Sequence, residues 1–148
     1  MKKALKENGK WILIGLFILI LDQLTKIYFK YKNIDFKFFA FTYVENTGIS
    51  FGMLQGTTLF IGILGLVVFL LLIYYKDSFR EYPLVLGLLI GGVLGNTLDR
   101  LIRGYVIDFI DFKIWPVFNI ADAAIFFAVI IVLIKTIQKS SKSWSWSK

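Results

Sequence analysis

Four long apolar stretches dominate the chain: Trp11 to about Phe29, Thr57 to Tyr75, Pro83 to Leu98, and about Val117 to Ile134. A membrane-crossing helix needs about 20 mostly apolar residues, so the pattern predicts four transmembrane helices over about 11–29, 57–75, 83–98 and 117–134. The first and third carry polar residues near one end. Lys2, Lys3, Lys6 and Lys10 precede the first stretch as they would in a signal peptide. No small-residue cleavage site follows, and the run continues into LDQLTKIYF, so it reads as an uncleaved helix. Between the first two stretches, DFKFFAFTYVENTGISFGM is rich in aromatic and β-branched residues, with a turn at Asn46-Thr47-Gly48. Short strands at the outer interface are expected there, and the Phe residues suit a surface facing lipid or a lipidated ligand. The predicted fold is an all-α membrane protein, one integral domain over 1–148. A small extracytoplasmic β-rich segment lies between helices 1 and 2, and the outer segments cover about 30–56 and 99–116.

An even number of spans puts both termini on one side. The two tails and the Tyr74 to Tyr82 turn hold ten Lys and Arg residues, against seven elsewhere, which places the termini in the cytoplasm. The tail Ser140 to Lys148, SSKSWSWSK, is too polar to span, and its Trp residues belong at the cytoplasmic interface. With a rise of 1.5 Å per residue, Asp22 and Lys26 lie roughly 16 and 22 Å along the first helix, and Asn96 and Asp99 roughly 20 and 24 Å along the third. Asn119 and Asp122 fall at the outer start of the fourth helix, and Asp108 in the connection before it. Polar residues scattered through the sequence thus converge near the outer membrane face.

Composition narrows the chemistry. With 148 residues, 57% of them hydrophobic, and a mean hydropathy of +0.72, the chain is too apolar for a soluble domain of its size. The net charge of +7 is not gathered with stacking aromatics into a patch, so nucleic acid is not an expected partner. There is no His and no Cys, which removes the commonest general base, the thiol nucleophile and the usual zinc ligands. Proton chemistry must rest on carboxylates, with no metal or cofactor called for.

Ionisable groups at or in a bilayer are functional candidates by default, and several constellations qualify. Asp22 and Lys26, four residues apart, share a helix face and can pair. Gly87, Gly91 and Gly95 form a small-residue ridge for close helix packing. Asp99 beside Arg100, with Asn96 a turn earlier, reads as a hydrogen-bonded brace. Asp108 and Asp122 sit among apolar neighbours with no basic residue at helical spacing, an expensive setting for a structural carboxylate. If the outer connection folds Asp108 over the start of the fourth helix, the two acids can share a single proton and act on water as base and acid. Two other arrangements stay open on spacing alone: solvated or braced acids, and Asp111 as the competing partner.

DQLTK (Asp22 to Lys26), NTGISFG (Asn46 to Gly52), GGVLGNTLDR (Gly91 to Arg100), GYVIDFIDF (Gly104 to Phe112) and FNIADAAI (Phe118 to Ile125) occur in this order. Together they resemble the sequence blocks of lipoprotein signal peptidase, signal peptidase II, and with the four spans the resemblance covers nearly the whole chain. It implies a multi-pass aspartic endopeptidase of the bacterial inner membrane that cuts prolipoproteins just before a cysteine carrying diacylglyceryl. It further implies Asp108 and Asp122 as the catalytic pair. Asp22, Lys26, Asn46, Gly48, Asn96, Asp99, Arg100 and Asn119 are implied as supporting or substrate-binding residues, and globomycin as an inhibitor. The expected partners are the prolipoprotein and membrane lipid, with the enzyme a monomer. Ile49 departs from the family, which more often has alanine there. The competing class is a small four-helix proton-coupled transporter, but that would place an acid near the midplane and often show internal repeats. A scaffold subunit built around the glycine ridge would leave Asp108 and Asp122 unexplained.

Overall fold

The computed structural model describes residues 9–48 and 56–145, the last six as backbone only. Ile49 and the end of the Trp-containing tail lie outside the described residues. Four helices form the body: α1 (Lys10–Phe29), α2 (Thr58–Tyr74), α3 (Pro83–Arg103) and α4 (Ile120–Ser145), with a 3-10 turn at Lys76–Phe79 between α2 and α3. Three of them, α1, α3 and α4, are long and apolar enough to cross a membrane. At 17 residues, α2 is roughly 25 Å long and falls short of the hydrocarbon thickness of about 30 Å.

The central post is α3: 56% of its membrane-length stretch is buried in the bundle, against 17% for α1 and for α4. Pro83 pre-sets its first turn, and Gly104, at φ 79°, ends it in the left-handed conformation. The glycine ridge faces α1. A Cβ at Gly91 would lie 2.7 Å from the Gly15 carbonyl oxygen and 2.7 Å from Ile18 Cβ, so only glycine allows the two backbones to come this close. The neighbouring Gly92 gives α4 the same access, since a Cβ there would stand 2.6 Å from the Ala121 carbonyl oxygen. The helix continues to Arg103 rather than ending at Leu98, because Asp99 and Arg103 pair one turn apart. At the other boundary, α4 starts at Ile120 instead of about 117, since Phe118 is still bridged to a strand.

A three-stranded antiparallel sheet lies at the end of the bundle where α1 and α3 finish and α4 begins. Its order is β1 (Asn33–Phe36), β2 (Phe39–Asn46), β3 (Val106–Asp111). The expected strands between the first two helices are present as β1 and β2, but the third comes from the connection between α3 and α4. That strand was not legible locally, because its partner β2 is some sixty residues away. Val44 pairs with Asp108 and Asn46 with Val106, with an irregularity between Phe41 and Val44. Phe29 stacks on Phe41 and Phe109 at 4.1 and 4.8 Å between ring centroids, joining the end of α1 to the sheet. Beyond β3, Phe118 exchanges backbone hydrogen bonds with Ile110 at 2.8 and 3.1 Å, which brings Asp108 over the start of α4.

Candidate active site

Asn119 occupies the position just before α4. Its Oδ1 accepts the Asp122 N–H at 2.9 Å, while its own N–H donates to Asp122 Oδ2 at 3.2 Å. This reciprocal arrangement is a capping box, with an acid in the usual place of Glu or Gln. Asn119 Nδ2 then reaches back to Asp108 Oδ1 at 2.6 Å. One buried asparagine therefore holds both carboxylates, and local helix-capping rules alone put Asp122 where the strand delivers Asp108.

Two further amides complete the shell. Asn46 is a diagonal neighbour of Asp108 across the β2–β3 ladder, and its Nδ2 donates to Asp108 Oδ2 at 2.9 Å. Asn96 Nδ2 donates to Asp122 Oδ1 at 2.7 Å. All four carboxyl oxygens thus accept an N–H, and among the described residues no Lys or Arg side chain pairs with either acid directly. Burial, then the charge of Asp122, raises the Asp108 carboxyl from its ordinary value to about 7.

The second cluster is organised by charge. Lys26 is fully buried, with its ammonium 2.7 Å from Asp22 Oδ2, 2.8 Å from Asp99 Oδ2 and 2.9 Å from Asn96 Oδ1. Asp22 Oδ1 accepts the Ala121 N–H at 2.9 Å, placing a carboxylate on the N-terminal turn of α4. Gly95 makes room for it: a Cβ there would lie 2.6 Å from Asp22 Oδ2. Asp99 is also bound by Gln23 Nε2 at 3.0 Å and by the Arg103 guanidinium.

These contacts sort the expected site residues. Asp22 and Lys26 pair as their spacing foretold. Asp99 and Arg100 both connect to Asn96, Asp99 through Lys26 and Arg100 directly, but from different sides, because adjacent helical residues point about 100° apart. Asp99 turns toward Lys26, whereas Arg100 donates to the Gly48 carbonyl at 2.9 Å and the Asn96 carbonyl at 3.4 Å. Asn96 links the two clusters. Asp111 is separated from Asp108 by strand alternation and accepts from Thr42 Oγ1 at 3.1 Å and the Lys113 N–H at 2.6 Å. Gln23 and Arg103 are additional members; the four-residue spacing of Asp99 and Arg103 was the available signal for the second, and Gln23 had none.

The acids border a cavity of about 840 Å³ between α2, α3, α4 and the 115–118 segment. Asn46, Asn96, Arg100, Asp108 and Asp122 give it a polar end, and Leu64, Val68, Val93, Ile125 and Phe126 are among the apolar residues that line the rest. Asp108 is buried and Asp122 half-buried. The arrangement can hold a water and a carbonyl at one end while an apolar group occupies the other.

The sequence model of the signal peptidase (SPase) II family matches residues 14–138. The chain belongs to the signal peptidase II family. The matched range includes every residue of both clusters. A lipoprotein signal peptidase from Moorella thermoacetica is 42% identical over 133 residues, covering 82% of this chain and 89% of that protein. One from Caldanaerobacter subterraneus is 44% identical over 132 residues, covering 82% and 91%. A solved bacterial membrane enzyme superposes with a TM-score of 0.82 at 32% identity, covering 90% of this chain and 91% of that one. The fold of this signal peptidase II member is accordingly that of a membrane enzyme.

Proposed function

We propose that the protein removes the signal peptide from prolipoproteins by hydrolysing the bond just before a diacylglyceryl-modified cysteine, with Asp108 and Asp122 as the catalytic pair. Family membership supports the lipoprotein substrate. The observation that carries the chemistry is the pair itself: two neighbouring carboxyls bridged by Asn119, held by amides rather than cations, at the polar end of an otherwise apolar cavity. A carboxylate bound to a cation is committed to its charge; one held by neutral donors can take and release a proton.

In this reading Asp108, whose carboxyl is raised to about 7, carries the proton of the pair, and Asp122, which accepts a backbone N–H as well as an amide N–H, serves as the base. Asp122 deprotonates a water, the resulting hydroxide attacks the scissile carbonyl, and Asp108 polarises that carbonyl through its proton. The proton taken by Asp122 then goes to the leaving amine. The Arg100 Nε has no partner among the described residues and lines the cavity with Gly48 held beside it, so this edge receives the substrate backbone. The apolar end receives the acyl chains. In this reading the chain is a single four-span domain of the bacterial inner membrane, α2 being a short span, and it acts as a monomer. Its termini are cytoplasmic, and the sheet and active site lie near the outer face.

The test is cleavage of a lipidated prolipoprotein by the purified protein, compared with Asp108→Asn and Asp122→Asn. Both variants should be inactive while folded, and globomycin should stop the wild type. Near wild-type turnover by either variant removes the dyad, and undiminished cleavage in globomycin counts against this substrate assignment.

A further inference from the structure

We infer that Lys26 is a positioning residue for the acid pair: its ammonium fixes which end of the Asn96 amide faces Asp122, keeping a donor against that carboxylate. The inference rests on the proposed role of Asp108 and Asp122. An asparagine amide can rotate and exchange its oxygen and nitrogen with little change in shape, whereas an ammonium can only donate. With Lys26 Nζ 2.9 Å from Asn96 Oδ1, the oxygen end is committed to Lys26 and the Nδ2 end is turned to Asp122 Oδ1 at 2.7 Å. Asn119 Nδ2, 3.1 Å from the same oxygen, reinforces that polarity.

The other two amides are fixed differently. Asn119 is held by the Asp122 backbone N–H at 2.9 Å and Asn46 by the Gly48 backbone N–H at 3.0 Å. For Asn96 the Oδ1 anchor is a charged side chain from another helix, and that side chain is itself immobilised. Lys26 is fully buried against Asp22 of α1 and Asp99 of α3, with Arg103 behind Asp99. The other charged groups bearing on the network are Asp122 of α4, Asp108 of β3, and Arg100, which donates to the Asn96 carbonyl.

The polarity matters because the pair must exchange protons with water and substrate. With N–H groups on all four oxygens, the remaining lone pairs and the mobile proton stay available to the cavity. A reversed Asn96 would offer its carbonyl to a protonated Asp122 and hold that proton in an O–H···O=C bond, out of reach of the reaction. The Lys26 charge also favours the ionised form of Asp108, so its loss moves Asp108 titration upward.

The experiment compares wild type, Asp22→Asn, and the double variant Asp22→Asn with Lys26→Met. The double change removes one charge of each sign, leaves Asp99 with Arg103, and keeps an acceptor at position 22 for the Ala121 N–H. Each protein is assayed against pH on the lipidated substrate. The protonated-carboxyl infrared band is titrated in parallel, which needs no turnover. In the double variant kcat/KM should fall by about 10²-fold, and both the alkaline limb and the infrared titration should move up by about one pH unit. Both changes are read against Asp22→Asn, so that the step scored is the removal of Lys26 alone. A folded double variant with unmoved limb and band overturns the inference. If it does not fold, Lys26→Gln is read the same way, because glutamine fills the site but can present either end to Asn96. Absence of cleavage by the wild type refutes the proposed function instead, while the infrared titration still decides the positioning of Asn96.

Discussion

Two acid clusters share one end of the bundle and differ in what compensates them. Asp22 and Asp99 are ion-paired with Lys26 and Arg103, and Asp22 is also tied to the first turn of α4, an arrangement that braces the helices. Among the described residues Asp108 and Asp122 meet amides and backbone N–H groups, and the Asp108 carboxyl is raised to about 7. A buried carboxylate with a cation resists titration; one with neutral donors stays poised to exchange protons. The clusters touch through Asn96, whose Oδ1 accepts from Lys26 and whose Nδ2 donates to Asp122.

The sharpest way to break this contrast is to neutralise one member of each cluster. Asp108→Asn or Asp122→Asn should lower cleavage of a lipidated prolipoprotein by about 10³-fold or more and leave the melting temperature unchanged or higher, measured on purified protein. Asp99→Ala should do the reverse in kind, costing about 3–5 kcal/mol of stability by leaving Lys26 under-compensated in the interior. Thermal or denaturant unfolding reads that loss; a variant as stable as wild type would show that the second cluster is not a brace.

A smaller effect should appear in pH dependence. The Asp108 carboxyl is raised to about 7 in the folded protein from 3.8, so the native state holds its proton more tightly than the unfolded chain. This contribution to stability is complete below about pH 4, declines as pH rises toward 7, and is absent above that. Stability should therefore slope downward across this window, and Asp108→Asn should flatten the slope. For wild type, kcat/KM should fall as pH rises past about 7.

Gly91→Ala tests the packing that holds the clusters together. Its Cβ would fall 2.7 Å from the Gly15 carbonyl oxygen, so a loss of about 1–3 kcal/mol is expected, with the unfolding midpoint as readout. The smallest effect belongs to Asp111→Asn, which keeps Oδ1 for the Lys113 N–H and presents an Nδ2 donor that the Thr42 hydroxyl can turn to accept. Stability should change by no more than about 0.5 kcal/mol and cleavage should remain near wild type; strong loss of activity would return Asp111 to contention as the partner acid.

The parts legible in the sequence are those set by local periodicity. Asp22 and Lys26 share a face because they are four residues apart. Gly87, Gly91 and Gly95 align along one side of α3 for the same reason. The Asn119–Asp122 capping box was missed, because the fourth helix was expected from about Val117. Other differences from expectation arose where neighbours in sequence diverge in space or where partners are remote. Asp99 and Arg100 are adjacent yet reach Asn96 from different sides. VIDFID, read as a connection, became β3 through pairing with β2.

The sequence by itself determined the setting and the inventory: apolar stretches of membrane length, and a chain without His or Cys. It also set which residues each helix presents together, since helical periodicity is local. Tertiary structure decided which carboxylates are paired with a cation. Whether an acid meets Lys26 or the Asn119 amide depends on how α1, α3, α4 and β3 converge, and burial makes that choice energetically decisive because no water remains to even out the difference.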